Sequence, residues 1–221
     1  AAIVPQQNAQ TEFQHFEEVR NELIELRNAV STAGQADVSQ FPSVTLGTNY
    51  RMRTFTINPP DPAGTLKTSD QSHNITISNG TPKHDLNIST RFLEYQPGYN
   101  EISIGSTWYE HSVLYLDGGD SGGVSIIQEQ NIVKDGEVTI TALQNQFKET
   151  DTGRVTLELY PREKVNRSAF PNGNDENLTV KVPTRLSEDE YWNETLNYSG
   201  GMYNGVDPDS RLNLSVNETD L

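Results

Sequence analysis

Apolar residues at Phe16, Val19, Leu23, Leu26 and Val30 recur at alternating spacings of three and four. Phe13 and Ile24 widen this stripe, and charged and amide residues fill the other positions. The pattern predicts an amphipathic helix of roughly 20 residues or more. Thr11 with Gln14 reads as a capping box at its start, and Gly34 as its terminator. The same spacing permits a coiled coil, but over only about two heptads, so packing against the chain's own domain is expected.

Beyond Gln35 the period drops to two. Val138, Ile140 and Ala142 alternate with threonines, and Val155, Leu157 and Leu159 with polar residues. Leu178, Val180 and Val182 behave alike, as do Leu212, Leu214 and Val216. Each segment predicts a half-buried strand. Further strands are expected at 44–46, 50–57, 74–78, 90–95, 112–116 and 124–128. Turn signals such as Pro59-Pro60-Asp61-Pro62, Pro97-Gly98 and Asp135-Gly136 separate them. A second helix is expected to open at the capping box Ser187-Glu188-Asp189-Glu190 and run to about Leu196. Leu186 and Tyr191 suit a hydrophobic staple, and Trp192 with Leu196 an apolar edge. Residues 161–176 read as a long loop. The expected fold is α+β: a long N-terminal helix, residues 1–34, packed on a mostly antiparallel β-sandwich-like sheet, with a short C-terminal helix. Residues 35–221 form the β-rich domain.

Charge changes the picture next. Against 16 basic residues the chain carries 31 acidic ones, for a net charge of -15. Such a balance argues against a nucleic-acid partner, whose phosphates it would repel. Lysine is scarce, and an acid-rich, lysine-poor surface suits concentrated salt, where screening relieves self-repulsion. An ordinary acidic secreted protein has the same signature. With no cysteine, disulfides and thiolate chemistry are excluded. No run of 18 apolar residues exists to cross a membrane. The opening Ala1-Ala2-Ile3-Val4-Pro5 reads either as the tail of a longer apolar segment or as an arbitrary start.

One stretch spells an enzyme. Gly119-Asp120-Ser121-Gly122-Gly123 matches the surround of the nucleophile in trypsin-like proteases. That chemistry needs a histidine base, then an aspartate, then the serine, in chain order. His15, His73, His84 and His111 do not fit: His15 sits in the first helix and His111 only ten residues before Ser121. A glycine-rich hairpin connection between two strands is the expected reading, so no catalytic residue is assigned.

Acidic loops offer weak calcium candidates at Asp117 with Asp120, and at Asp207 with Asp209 beside Asn204. Neither set has the ordered ligands of a twelve-residue calcium loop. Zinc spacings and phosphate-binding glycine loops are missing too, so no cofactor is expected.

Glycosylation sequons are the enriched feature. Asn-x-Ser/Thr occurs at Asn74, Asn79, Asn87, Asn166, Asn177, Asn193, Asn197, Asn213 and Asn217. Chance would give roughly three. Either these mark an exported glycoprotein, or several arise because a half-buried strand alternates polar and apolar residues. Both readings place the asparagines on the solvent face.

Several segments carry a resemblance: the helix Phe13-Gln-His-Phe-Glu-Glu-Val-Arg-Asn-Glu-Leu-Ile, the stretch Leu46-Gly-Thr-Asn-Tyr50, Arg91-Phe-Leu-Glu-Tyr-Gln-Pro-Gly-Tyr99, and Pro183-Thr-Arg-Leu-Ser-Glu-Asp189. Together they are similar to exported surface proteins of halophilic archaea related to type IV pilins, a group without an assigned activity. The resemblance implies an anchor helix before Ala1 as a membrane partner, a β-rich extracellular domain at the cell surface, and self-assembly or surface-protein partners. The expected function is therefore a non-enzymatic structural or adhesive ectodomain. An exported ligand- or calcium-binding module is the alternative, and a secreted hydrolase the weakest one.

Overall fold

The computed structural model describes residues 3–52, 58–79, 85–119, 122–134, 137–165, 178–186, 189–196 and 202–216. Helix α1 runs over Ile3–Ala36. It starts about two turns earlier than expected, because Pro5 stands in the first turn, where its missing N–H has no intrahelical partner to lose. Thr11 is therefore not a cap; its hydroxyl bonds back to the Gln7 carbonyl at 3.0 Å. Gly34 is not the terminator either, since the helix passes through it and ends before Asp37, whose φ is 56°. A Cβ at Gly34 would lie 2.6 Å from the Thr141 hydroxyl oxygen, so close packing explains this glycine.

Every strand pair is antiparallel. The short strands β1 (Ser43–Thr45) and β12 (Arg154–Thr156) pair with each other, as do β9 (Val133–Lys134) and β10 (Glu137–Val138). A six-stranded sheet takes the order β11 (Lys148–Asp151), β2 (Gly64–Thr68), β5 (Leu93–Gln96), β6 (Ser106–Glu110), β7 (Val113–Asp117), β8 (Val124–Gln128). A five-stranded sheet takes the order β14 (Tyr203–Val206), β15 (Arg211–Val216), β13 (Leu178–Pro183), β3 (His73–Ser78), β4 (Leu86–Thr90). Helix α2 spans Asp189–Leu196.

Two cores make three layers of these parts. Val19, Leu23, Leu26 and Val30 of α1 meet Leu66, Leu93, Tyr95, Tyr109 and Leu114 on one face of the six-stranded sheet. Val113 and Tyr115, on its other face, meet Ile75, Val180, Val182, Leu212 and Leu214 of the five-stranded sheet, together with Trp192 and Leu196 of α2. The apolar stripe of α1 is thus spent on its own domain rather than on a coiled coil. Phe13 does not belong to that stripe: it is 54% exposed. In its place the buried face carries Asn8, Glu12, His15 and Glu22.

The middle sheet explains what periodicity missed. Its strands are covered on both faces, so Leu93-Glu94-Tyr95 and Val113-Leu114-Tyr115 are buried consecutively and show no alternation. The strand expected over 90–95 is broken at Arg91 and Phe92, and its halves, β4 and β5, belong to different sheets. Residues 138–142 keep a ladder only at Glu137–Val138, with Ile140 and Ala142 packed on the inter-sheet core without one. Within 50–57, Tyr50 is not in a strand; its N–H is held by Asp61 Oδ1 at 2.8 Å, and 53–57 lie outside the described residues. The loop at 161–165 has no regular structure, and the rest of it, with the capping residues Ser187 and Glu188, is also outside.

Candidate functional site

The two sheets meet at a corner. There the chain crosses from β2 to β3 through 69–72 and returns from β4 to β5 through Arg91 and Phe92. Arg91 pins both crossings by donating to the Ser69 and Asp70 carbonyls at 2.5 and 2.8 Å. The end of β13 and the start of β15 close the same corner, joined by Thr184 N–H to the Ser210 carbonyl at 2.9 Å. Between these ends lies a cleft of about 420 Å³, lined by His73, Trp108, Arg185 and Arg211 among others.

A buried carboxyl group braces its wall from behind, at Thr184 and Arg185. Glu110 is 1% exposed and accepts from the Thr184 hydroxyl, from Arg185 N–H at 2.9 Å and from Tyr115 Oη at 3.3 Å. Burial raises its carboxyl above the ordinary range, while these donors pull it back. The bonds fix residues 184–186 and so direct Arg185. The Arg185 guanidinium lies 3.7 Å from the Trp108 ring centroid, with one nitrogen 3.5 Å from Asp117 Oδ2. His73 stacks on Phe92 at 4.7 Å between centroids. Its pKa is lowered, first by burial and then by the charges of Arg91 and Arg185.

Beneath Phe92, His111 and Ser112 form the two-residue turn between β6 and β7, with φ values of 43° and 76°. Positive φ at both positions is the geometry that matches strand twist, normally supplied by Asn-Gly. Here side chains hold it: His111 Nε2 donates to the Pro183 carbonyl at 2.7 Å, and Ser112 Oγ accepts from Asn131 N–H at 2.6 Å. Burial lowers the His111 pKa to about 4. A base depressed in this way contributes stability that is present above its unfolded value near 6.5 and is lost as pH falls toward 4. That loss amounts to roughly 3 kcal/mol. The raised Glu110 has the opposite slope, losing its contribution as pH rises. His111→Asn tolerates positive φ and does not titrate. Between pH 7 and 4, wild type should lose about 3 kcal/mol more stability than this variant, read from urea unfolding.

The other sequence candidates fall apart in space. Asp120 and Ser121 lie outside the described residues, but their flanks form the connection between β7 and β8. Gly118 N–H bonds to the Gly123 carbonyl at 2.9 Å, with Gly119 and Gly123 at φ 67° and 62°. His111 sits at the opposite end of β7, about 20 Å away by strand rise. His15 is bound to Tyr99 and Thr45 under α1, and His84 is outside the described residues. Asp117 Oδ1 accepts from Gly119 N–H at 3.0 Å. Asp207 Oδ1 accepts from Asp209 and Arg211 N–H, and its Oδ2 lies 3.6 Å from Lys181. Among the described residues no three His, Asp or Glu side chains converge on a metal position.

Of the sequon asparagines, Asn74 on β3, Asn87 on β4 and Asn193 on α2 are exposed, and Asn213 on β15 is half-buried. Register puts Asn74, Asn87 and Asn213 on the outward face of the five-stranded sheet, opposite Ile75, Ile88 and Leu214. Asn79 is the exception to the expected solvent placement: it is 7% exposed, just beyond the last ladder pair of β3. Asn166, Asn177, Asn197 and Asn217 lie outside the described residues. The cleft residues were missed because four distant segments supply them and no motif joins them.

Comparisons with known protein families, curated proteins and solved structures return no match to this chain. No described helix is long and apolar enough to cross a membrane.

Proposed function

We propose that the chain is a non-enzymatic ectodomain displayed at a cell surface, of the pilin-like kind found in halophilic archaea, with a structural or adhesive role. The observation that carries this reading is the outward face of the five-stranded sheet. None of its five strands contains Asp or Glu, in a chain with 31 acidic residues. The face presents amides and hydroxyls instead: Asn74 and Thr76, Asn87 and Ser89, Asn213 and Ser215. Several are already tied to one another, as in Thr76 Oγ1 to Asn87 Oδ1 at 2.8 Å and Asn204 Nδ2 to Ser215 Oγ at 2.6 Å. Like-charged chains repel, so a face whose strands carry no acid, and which Asp207 reaches only to pair with Lys181, is where a neighbour or a covalent glycan approaches at least electrostatic cost. The acid-rich, lysine-poor remainder suits a salty exterior.

Glycopeptide mass spectrometry on protein from the producing cells tests the reading. Sugar adducts are expected at Asn74, Asn87, Asn193 or Asn213, with Asn79 unmodified because the fold buries it. Recovery of the chain from the cytosolic fraction, with every sequon bare, overturns it.

A further inference from the structure

The corner cleft holds groups that display does not require. Arg211 has no ion-pair partner for its guanidinium among the described residues. Arg185 lies over Trp108, its guanidinium 3.7 Å from the ring centroid, which limits its rotamers. It also meets Asp117 at 3.5 Å and the Tyr115 hydroxyl, and a fork of five N–H donors keeps others for a ligand. Between and around the two forks stand Ser72, Asn74 and Ser210, whose side chains have no hydrogen-bond partner among the described residues. Asp209 is the single acidic residue of the lining. Donors therefore outnumber acceptors, and the charge is positive.

We propose that this cleft binds a small hydroxyl-bearing carboxylate of the sugar-acid class. Arg185 and Arg211 take the carboxylate, and Ser72 and Ser210 take the hydroxyls. Three features select this chemistry. Planar guanidinium forks match a planar carboxylate in bidentate fashion. The lining includes no residue of the N-terminal turn of either helix, the usual amide cradle for a tetrahedral oxyanion. A volume of about 420 Å³ falls in the range of small-ligand sites. Recognition of this ligand goes beyond the display reading and stands without it.

D-Glucuronate, D-glucose and inorganic sulfate, titrated separately into the full chain at constant ionic strength, provide the test. The readout is the indole N–H resonance of Trp108, assigned by its loss in Trp108→Phe, because the Trp192 indole N–H is bonded to Thr184 of the cleft wall and is read separately. Glucuronate is expected to give a saturable shift, with glucose and sulfate each at least tenfold weaker. Arg211→Gln and Arg185→Gln should each weaken glucuronate at least tenfold while the remaining spectrum stays that of the folded chain. No saturation by glucuronate overturns the proposal. So does an equal response to sulfate, which would mark a bare anion site, and so does wild-type affinity in both folded variants.

Discussion

Glu12→Ala is expected to lower the melting temperature by about 10 °C, the consequence of losing roughly 3–5 kcal/mol in a chain of this size. Glu12 is fully buried on the face of α1 that turns inward. Its carboxylate accepts from the Tyr50 hydroxyl and from three successive backbone amides, Asn100, Glu101 and Ile102, at 2.7, 2.9 and 3.0 Å. Asn100 Nδ2 donates in turn to the Tyr50 hydroxyl at 3.0 Å, so one side chain ties the helix to two loops. Alanine leaves the buried Tyr50 hydroxyl without its acceptor and takes a charged acceptor from three amides of a partly exposed loop, where water replaces it only in part. Glu17→Ala is the control. That residue's ion pair with Arg20 is exposed, and its loss should fall within about 0.5 kcal/mol of wild type. Thermal melts of both variants decide the matter; equal melting temperatures would remove Glu12 from any structural role.

Trp192→Ala should cost about 3–5 kcal/mol by urea unfolding, with Trp192→Phe between it and wild type. The indole is 0% exposed and fills the inter-sheet core from α2. Its N–H donates to Thr184 Oγ1 at 3.1 Å, and Thr184 in turn donates to Glu110. Truncation therefore opens a cavity and loosens the turn that directs Arg185 over Trp108. Phenylalanine refills much of the volume without the hydrogen bond. A loss under about 1 kcal/mol in the alanine variant would mean that α2 is not part of the core.

Much of the architecture was legible where one face of an element is buried and the other is wet. The stripe from Phe16 to Val30 and the alternation in β3, β13 and β15 each identified their elements, because 3.6- and 2-residue periods follow from backbone geometry. The same alternation wrote the sequons Asn74, Asn87 and Asn213, and so put them on one sheet face. The glycine-rich stretch at 118–123 was readable as a hairpin for a related reason: positive φ at Gly119 and Gly123 is a local demand that glycine meets without strain.

The candidate site was not legible. His73, Trp108, Arg185 and Arg211 come from four strands or strand ends in two sheets, and each is unremarkable among its sequence neighbours. The break of 90–95 between two sheets, which forms the corner, depends on Arg91 reaching Ser69 and Asp70 across about twenty residues.

The sequence alone determined which way most apolar residues of the half-buried elements turn, because their spacing follows the helical and strand periods. It did not do so for Phe13, which is exposed, or for the polar residues that α1 buries. Which surface each inward face meets was decided only by the tertiary structure. Glu12 looks like one more solvated acid beside Glu17 and Glu18 until three amides from a loop some 90 residues away close on it. A buried polar group is tolerable only when distant partners satisfy it, and no local pattern records where those partners lie.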